Sequence, residues 1–399
     1  MRIGLFCDMY RPYVSGVTNH IRLYKRYYES QGHEVFLFTF GNHDFEDNEP
    51  HVIRTRGFEW RETGWNVAPQ FGSEARALIG SLDVAHVHHP FQSGYLLLPH
   101  VQKHHIPLVF TNHTRYDLYS DAYASYVPPA LRHGLLSRTL SHFLSRCDLV
   151  ITPSQSIAQW LADYVQFWYP VVIPNGIDTA MFASPAARMR RSVVGLRDDA
   201  FVFCYAGRIA AEKNARYLLD EFTRVARTCP DVQLLLIGGG PELDTLRRLI
   251  AKRNLSDRVV CTDMQPYEML PAFEHLCNAF VTGSVSEVHP LVVLEAMAAG
   301  LPVVAIDSPG IRETVCHEYN GLLADRVAPG TLAAAMVRLV GEKPLQDHLR
   351  TGAAQTIVHY TLPETAGKVL AEYERLAARG TRALTYTKRI PSALRKARA

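Results

Sequence analysis

The sequence predicts an α/β protein built from two doubly wound domains in tandem, and three observations carry that expectation. Short β-branched and apolar runs alternate with helix-like patterns along most of the chain, the signature of βαβ units and parallel sheets. The runs fall into two series separated by a turn-rich stretch. At 399 residues the chain exceeds one ordinary core, whereas two large domains account for it.

The first series of strands is expected near Ile3–Cys7, Val35–Phe40, Val84–His88, Leu108–Thr111, Leu149–Thr152 and Val171–Pro174. The break falls after Pro174-Asn175-Gly176-Ile177-Asp178, a cluster of turn formers. A basic, helix-prone run from Pro185 to Arg191 follows, opened by a proline suited to a first helical position. The second series is expected near Phe201–Ala206, Val232–Ile237, Val259–Thr262, Ala279–Thr282 and Pro302–Ile306. The domains are therefore set at 1–180 and 195–360, with a C-terminal helix and basic tail over 361–399. Open α/β sheets bind ligands beyond the carboxyl ends of their strands, so two facing domains predict a cleft that holds the site.

Composition narrows the class. Hydrophobic content of 47% with 20% charged residues describes a water-soluble globular chain, and no run is apolar enough to span a bilayer. The stretch Met1 to Asp8 reads as a first strand rather than an export signal. Seven scattered cysteines without a C-x-x-C pair suit reduced thiols in a cytoplasm. Histidines 86, 88 and 89 cluster after a strand, but the His86/His88 alternation reads as packing at a strand end, and metal is not expected. The formal charge is only +3, yet no acidic residue follows Glu374 while eight cations do, among them Arg382, Lys388, Arg395 and Arg398. Such a tail is either a solvated end or a contact for an anionic membrane. Nucleic acid is disfavoured because no aromatic stacking platform accompanies the charge.

The most informative segment is Ser286 to Met297. Glu295 sits among leucine, valine, alanine and methionine, so its desolvation requires a partner such as a sugar hydroxyl. Pro290 suits a helix start, leaving the Leu291 and Val292 amides free for an anion, with Glu287 in the loop just before. A surface helix with Glu295 in water is the plain alternative. Three further loops follow expected strands. Ser15-Gly16-Val17 offers a cap and an approachable backbone; Gly207-Arg208 with Glu212-Lys213-Asn214 offers two cations near a helix start; and Gly238-Gly239-Gly240-Pro241 offers a wide turn. Each is also compatible with an ordinary turn, and Arg208 and Lys213 with pairing to Glu212. His113, after the Leu108–Thr111 run, is either a sugar contact or a satisfied core histidine.

Taken in order, these stretches resemble the retaining nucleotide-sugar glycosyltransferases of glycosyltransferase family 4, which share the two-domain GT-B fold. The resemblance extends from Ser15-Gly16-Val17 through His113, Pro174 to Asp178, Gly207 to Asn214, the Gly238 turn and Glu287 to Val304, nearly the whole chain short of the tail. It implies an N-terminal acceptor domain and a C-terminal nucleotide-sugar domain. It also implies that Arg208 and Lys213 hold the donor diphosphate, that Glu295 binds the ribose and that Glu287 contacts the transferred sugar. The amides of Gly16, Leu291 and Val292 would complete the phosphate cradle beside Gly207, Gly238 and Gly239, and His113 would touch the sugar near the reacting carbon. No metal is implied. Two departures are visible: His289-Pro290 stands where many relatives carry an aromatic residue and a glycine, and Asn214 replaces a frequent glycine.

The run Thr111 to Tyr119 is similar to the matching part of transferases that glycosylate diacylglycerol or other membrane lipids. Leu131, Leu135, Leu140, Phe143 and Leu144 are read as one helical face beside Arg132, Arg138 and Arg146, with no acid between Asp121 and Asp148. That pattern fits a helix on an anionic bilayer as well as one packed on the sheet. Tyr116, Arg132, Arg138 and Arg146 are the acceptor or membrane candidates. The expected activity is transfer of glucose from UDP-glucose to a membrane lipid at the cytoplasmic face. A soluble acceptor, a nucleotide-sugar epimerase, a glycan phosphorylase and a non-enzymatic nucleotide-sugar sensor remain the alternatives.

Overall fold

The computed structural model describes residues 1–41, 45–59, 65–123, 126–165, 170–184 and 189–379. Residues 185–188 of the basic run and the tail beyond Arg379 lie outside them. The chain divides into two compact units, one of Met1–Asn175 with the segment from Leu362 onward and one of Gly176–Thr361.

The first unit holds a seven-stranded sheet. Across it lie Val52–Thr55, Glu34–Phe40, Arg2–Phe6, Val84–Val87, Leu108–Thr111, Leu149–Thr152 and Val171–Val172, every pair parallel. Counted within the sheet the order is 3-2-1-4-5-6-7. The central strand explains the layering. Ile3 and Leu5 face one apolar cluster while Phe6 faces the other, where it stacks on Phe38 at 4.4 Å. A parallel sheet covered on both faces needs such two-sided strands.

The helix Leu362–Arg379 belongs to this unit. Ala366, Val369, Leu370, Tyr373 and Leu376 recur at helical spacing and enter the cluster that holds Ile3, Tyr24 and Tyr28. Tyr24 donates to Thr365 Oγ1 at 3.1 Å, and wholly buried Tyr373 bonds His86. Truncating so large a buried ring to alanine costs roughly 3–5 kcal/mol, so the last described helix is a structural part of the first unit.

The second unit carries a six-stranded sheet of Val259–Cys261, Val232–Ile237, Phe201–Ala206, Ala279–Thr282, Val303–Ile306 and Gly321–Ala324, again all parallel. Its order is 3-2-1-4-5-6. Phe203 and Tyr205 point into one core, Val202, Cys204 and Ala206 into the other. In both sheets the order reverses between the first and fourth strands, and the loops leaving that pair form a crevice suited to a ligand.

Eleven runs were expected as strands and all eleven contain one, with ends shifted by up to two residues. Of four more that were not anticipated, Phe58–Glu59 and Asn66–Val67 pair antiparallel in a separate two-stranded sheet, and the other two are Val52–Thr55 and Gly321–Ala324. These last two are four-residue edge strands, too short for a pattern of their own and recruited by pairing with one neighbour.

Candidate active site

In the second unit, the first strand ends in Gly207-Arg208-Ile209 and the fourth leads to Glu287, so both sides of the switch point carry charged groups. Arg208 lies on a turn held from beneath. Its carbonyl accepts from Tyr205 Oη at 2.9 Å, and the Ile209 amide donates to Gly239 O at 2.8 Å. Gly238 and Gly240 are needed for this packing. A Cβ at Gly238 would meet Gly207 O at 2.0 Å, and one at Gly240 would meet Ile209 O at 2.4 Å, both at positive φ. The turn expected to lie against a nucleotide therefore serves first to seat the Arg208 loop.

Four ionised groups meet here. Arg208 lies 3.6 Å from Glu212, and Lys213 Nζ lies 2.7 Å from Glu287 Oε1. All four retain some solvent access, so each pair contributes on the order of 1 kcal/mol or less and can be exchanged for a stronger anion. Ser286 Oγ donates to Glu212 O at 2.9 Å and ties the two loops together. Asn214 stands in the left-handed region at φ 54°, where glycine is usual and asparagine tolerated, and its side-chain amide donates to Gly283 O at 3.0 Å. The departure at this position is conformationally conservative.

The helix Leu291–Ala298 starts after Pro290, and no side chain caps its first turn. Leu291, Val293, Leu294, Glu295, Ala296 and Met297 are all buried. Glu295 is 1% exposed and accepts a hydrogen bond from Tyr267 Oη at 2.8 Å. One partner demanded by its burial is thus a tyrosine of this chain. Burial pushes the Glu295 carboxyl up to about 7, and the Tyr267 bond offsets part of the rise. Glu274, wholly buried nearby, is raised well above the carboxylate range by desolvation and by the Glu295 charge. Gly310 packs so closely that a Cβ would lie 2.1 Å from Glu287 O, which fixes the loop bearing that carboxylate. His289 is buried against Tyr360, its ring centroid 5.4 Å away, and desolvation lowers its pKa to about 4.

In the first unit, Ser15 caps the helix Gly16–Ser30 through a reciprocal bond with Thr18, and a Cβ at Gly16 would meet nothing within 4 Å. The space on the Cβ side of that residue is open. His113 follows the fifth strand and its Nε2 lies 2.9 Å from His88 Nδ1. His20 stands 4.7 Å from the His113 ring, centroid to centroid. His86, by contrast, bonds Tyr373 and Thr111 and is a packing residue, as the strand-end reading has it.

The helix Pro129–Leu144 departs from its expected face. Leu140, Phe143 and Leu144 are buried, but Leu131 and Leu135 are 64% and 65% exposed, on the side that also carries Arg138 and His142, with Arg146 exposed in the turn just beyond the helix. At 100° per residue the two leucine groups lie on opposite sides, so they cannot form one stripe. Arg132 is engaged by Asp121 and the Val127 carbonyl, and Tyr116 is buried edge-on to Phe91 at 5.1 Å. Both side chains are thus engaged within the first unit, whereas Arg138 and Arg146 are exposed.

Sequence reasoning missed Tyr267, Glu274, His20, His88 as a neighbour of His113, and Gly310. Tyr267 is 28 residues from Glu295 and His20 is 93 from His113, so only the fold joins them. A histidine one turn beyond the Ser15 cap was the single available signal.

Two doubly wound parallel units in one chain are the architecture of the GT-B fold. The model of Glycosyltransferase Family 4 matches residues 14–181, and that of Glycosyl transferases group 1 matches residues 188–356. An alpha-monoglucosyldiacylglycerol synthase of Streptococcus pneumoniae is 31% identical over 341 residues, covering 81% of this chain and 75% of that protein. Among solved structures, a sucrose-phosphate synthase from Thermosynechococcus elongatus aligns at TM-score 0.76 and 22% identity, over 95% of this chain and 99% of that one. HepE of Anabaena, solved with UDP-glucose, aligns at TM-score 0.74 and 17% identity over 94% and 100%. This chain belongs to glycosyltransferase family 4 and is a glycosyltransferase of GT-B fold.

Proposed function

We propose that the protein transfers glucose from UDP-glucose, with retention of configuration and without a metal, to a membrane lipid of the diacylglycerol class at an anionic bilayer surface. The observation that carries the transfer is the paired-charge cluster of Arg208, Lys213, Glu212 and Glu287 at the switch point of the second sheet. A diphosphate arriving there displaces weak carboxylate partners and receives two cations, which then stabilise the charge that grows as the sugar leaves. The uncapped Leu291 and Val292 amides add donors, Glu295 takes the ribose hydroxyls and Glu287, released from Lys213, orients the sugar. Gly16 and His113 keep the phosphate and sugar contacts that the family resemblance implies.

The lipid acceptor is supported by the pneumococcal relative's printed activity and by the exposed face of the Pro129–Leu144 helix. Leu131 and Leu135 present apolar area at one end, while Arg138 and Arg146 present cations toward the other. Inserted leucines with flanking basic residues suit an anionic interface. No helix among the described residues is long and apolar enough to cross a membrane, so attachment through such a face is the proposed mode.

The test supplies UDP-glucose with vesicles of diacylglycerol plus an anionic lipid, and in parallel with simple soluble sugars, and identifies products by mass and by the anomeric proton's coupling. An α-glucosyl lipid formed only on vesicles is expected. Transfer solely to a soluble acceptor would overturn the lipid assignment, and a β-linked product would overturn retention.

A further inference from the structure

We propose that His20, His88 and His113 form a binding site for one divalent transition-metal ion of the zinc class in the first unit. The three imidazoles arrive from three elements: the helix Gly16–Ser30, the end of the strand Val84–Val87 and the end of the strand Leu108–Thr111. One ligand nitrogen from each lies within 4.8 Å of the other two. Tetrahedral zinc at its usual bond lengths sets ligand nitrogens about 3.4 Å apart. Small side-chain rotations therefore close the cluster around an ion, and the His88–His113 contact at 2.9 Å needs only to open slightly.

The His88–His113 pair leaves one buried nitrogen without a partner among the described residues. As neutral imidazoles, His88 and His113 each offer one N–H and one lone pair. Their shared hydrogen bond uses one of each. His88 Nε2 is then left buried, with no hydrogen-bond partner among the described residues. Neighbouring histidines are already committed: His86 to Tyr373 and Thr111, and His89 Nδ1 to the Asp8 amide. An all-imidazole set selects zinc, copper, nickel or cobalt over magnesium and calcium. Three protein ligands leave a fourth position open, and His113, which is only partly buried, gives an ion a way in.

Binding does not depend on the transferase reading. Its effect on turnover does, because an ion that occupies the His113 lone pair withdraws that residue from the sugar. The site is tested by stripping the full chain with a chelator and titrating cobalt(II). One equivalent should bind with the visible absorption of a four-coordinate site, and zinc should displace it. His88→Gln and His20→Asn should each weaken binding at least about a hundredfold, since even outer-shell changes at metal sites cost 10–100-fold. His142→Ala, on an exposed helix face, should bind as the wild type does. Thermal unfolding of each variant identifies any that fails to fold, and the other histidine then decides. Absence of stoichiometric cobalt in the wild type, or its retention in folded His20→Asn and His88→Gln, would overturn the proposal. Zinc bound at one equivalent with turnover untouched would uphold the site and overturn the assignment of His113 to sugar transfer.

Discussion

Replacing Glu295 by glutamine should stabilise the protein at alkaline pH and cripple donor binding at the same time. The carboxyl ionises near 4.5 in the unfolded chain and at about 7 in the fold because burial disfavours its charge. The gap of about 2.5 pH units, at about 1.36 kcal/mol each, amounts to about 3 kcal/mol. Below pH 4.5 the group is protonated in both states and the term vanishes. From 4.5 to 7 the unfolded chain releases its proton while the fold retains it, so wild-type stability declines as pH rises, and above 7 the full cost is present. Glutamine can still accept from Tyr267 but never ionises. Its own desolvation makes about 3 kcal/mol a ceiling. Urea unfolding followed by circular dichroism should show no difference near pH 4.5 and a more stable variant at pH 8. Calorimetry at pH 8 should show UDP bound about tenfold to a hundredfold more weakly, the loss of a charged acceptor worth about 1.5–3 kcal/mol. A variant that is less stable at pH 8, or whose difference ignores pH, would refute the reasoning.

Arg208→Ala should lower kcat by roughly a hundredfold or more with the fold intact, as for other charge-stabilising donors; steady-state kinetics with UDP-glucose check this, and full turnover would reject the role. Gly238→Ala should displace the Arg208 loop, because its Cβ would lie 2.0 Å from Gly207 O at a φ of +142°. Its Tm and kcat should both fall, the destabilisation being about 1–3 kcal/mol or more, and an unchanged melting curve would show that the turn is less tightly packed. Leu131→Asp with Leu135→Asp should leave the Tm nearly unchanged, since both positions are exposed. The double variant should co-sediment several-fold less with anionic vesicles, and undiminished binding would move the membrane contact elsewhere.

What the residues alone determined was periodic and local. Short apolar runs alternating with helical patterns marked the eleven expected strands, since each must be apolar on both faces to sit in a covered parallel sheet. The motif stretches around Arg208, Lys213 and Glu287 were legible because each lies directly after a strand, where an open sheet puts its ligands. Tertiary structure decided the remainder. Strand order cannot be read from spacing, and it is the 3-2-1-4-5-6 order that brings Lys213 and Glu287 to 2.7 Å across 74 residues of sequence. Glu295 was seen to need a partner, but a hydroxyl from Tyr267 and one from a sugar satisfy a carboxylate equally well, so only packing could choose. The leucines of the Pro129–Leu144 helix were misread as one face because composition shows amphipathicity while rotation by 100° per residue decides which side each one takes. Local pattern specifies elements and the loops that carry charge; convergence of His20, His88 and His113, or of Tyr267 with Glu295, depends on long-range packing that no stretch of the chain encodes alone.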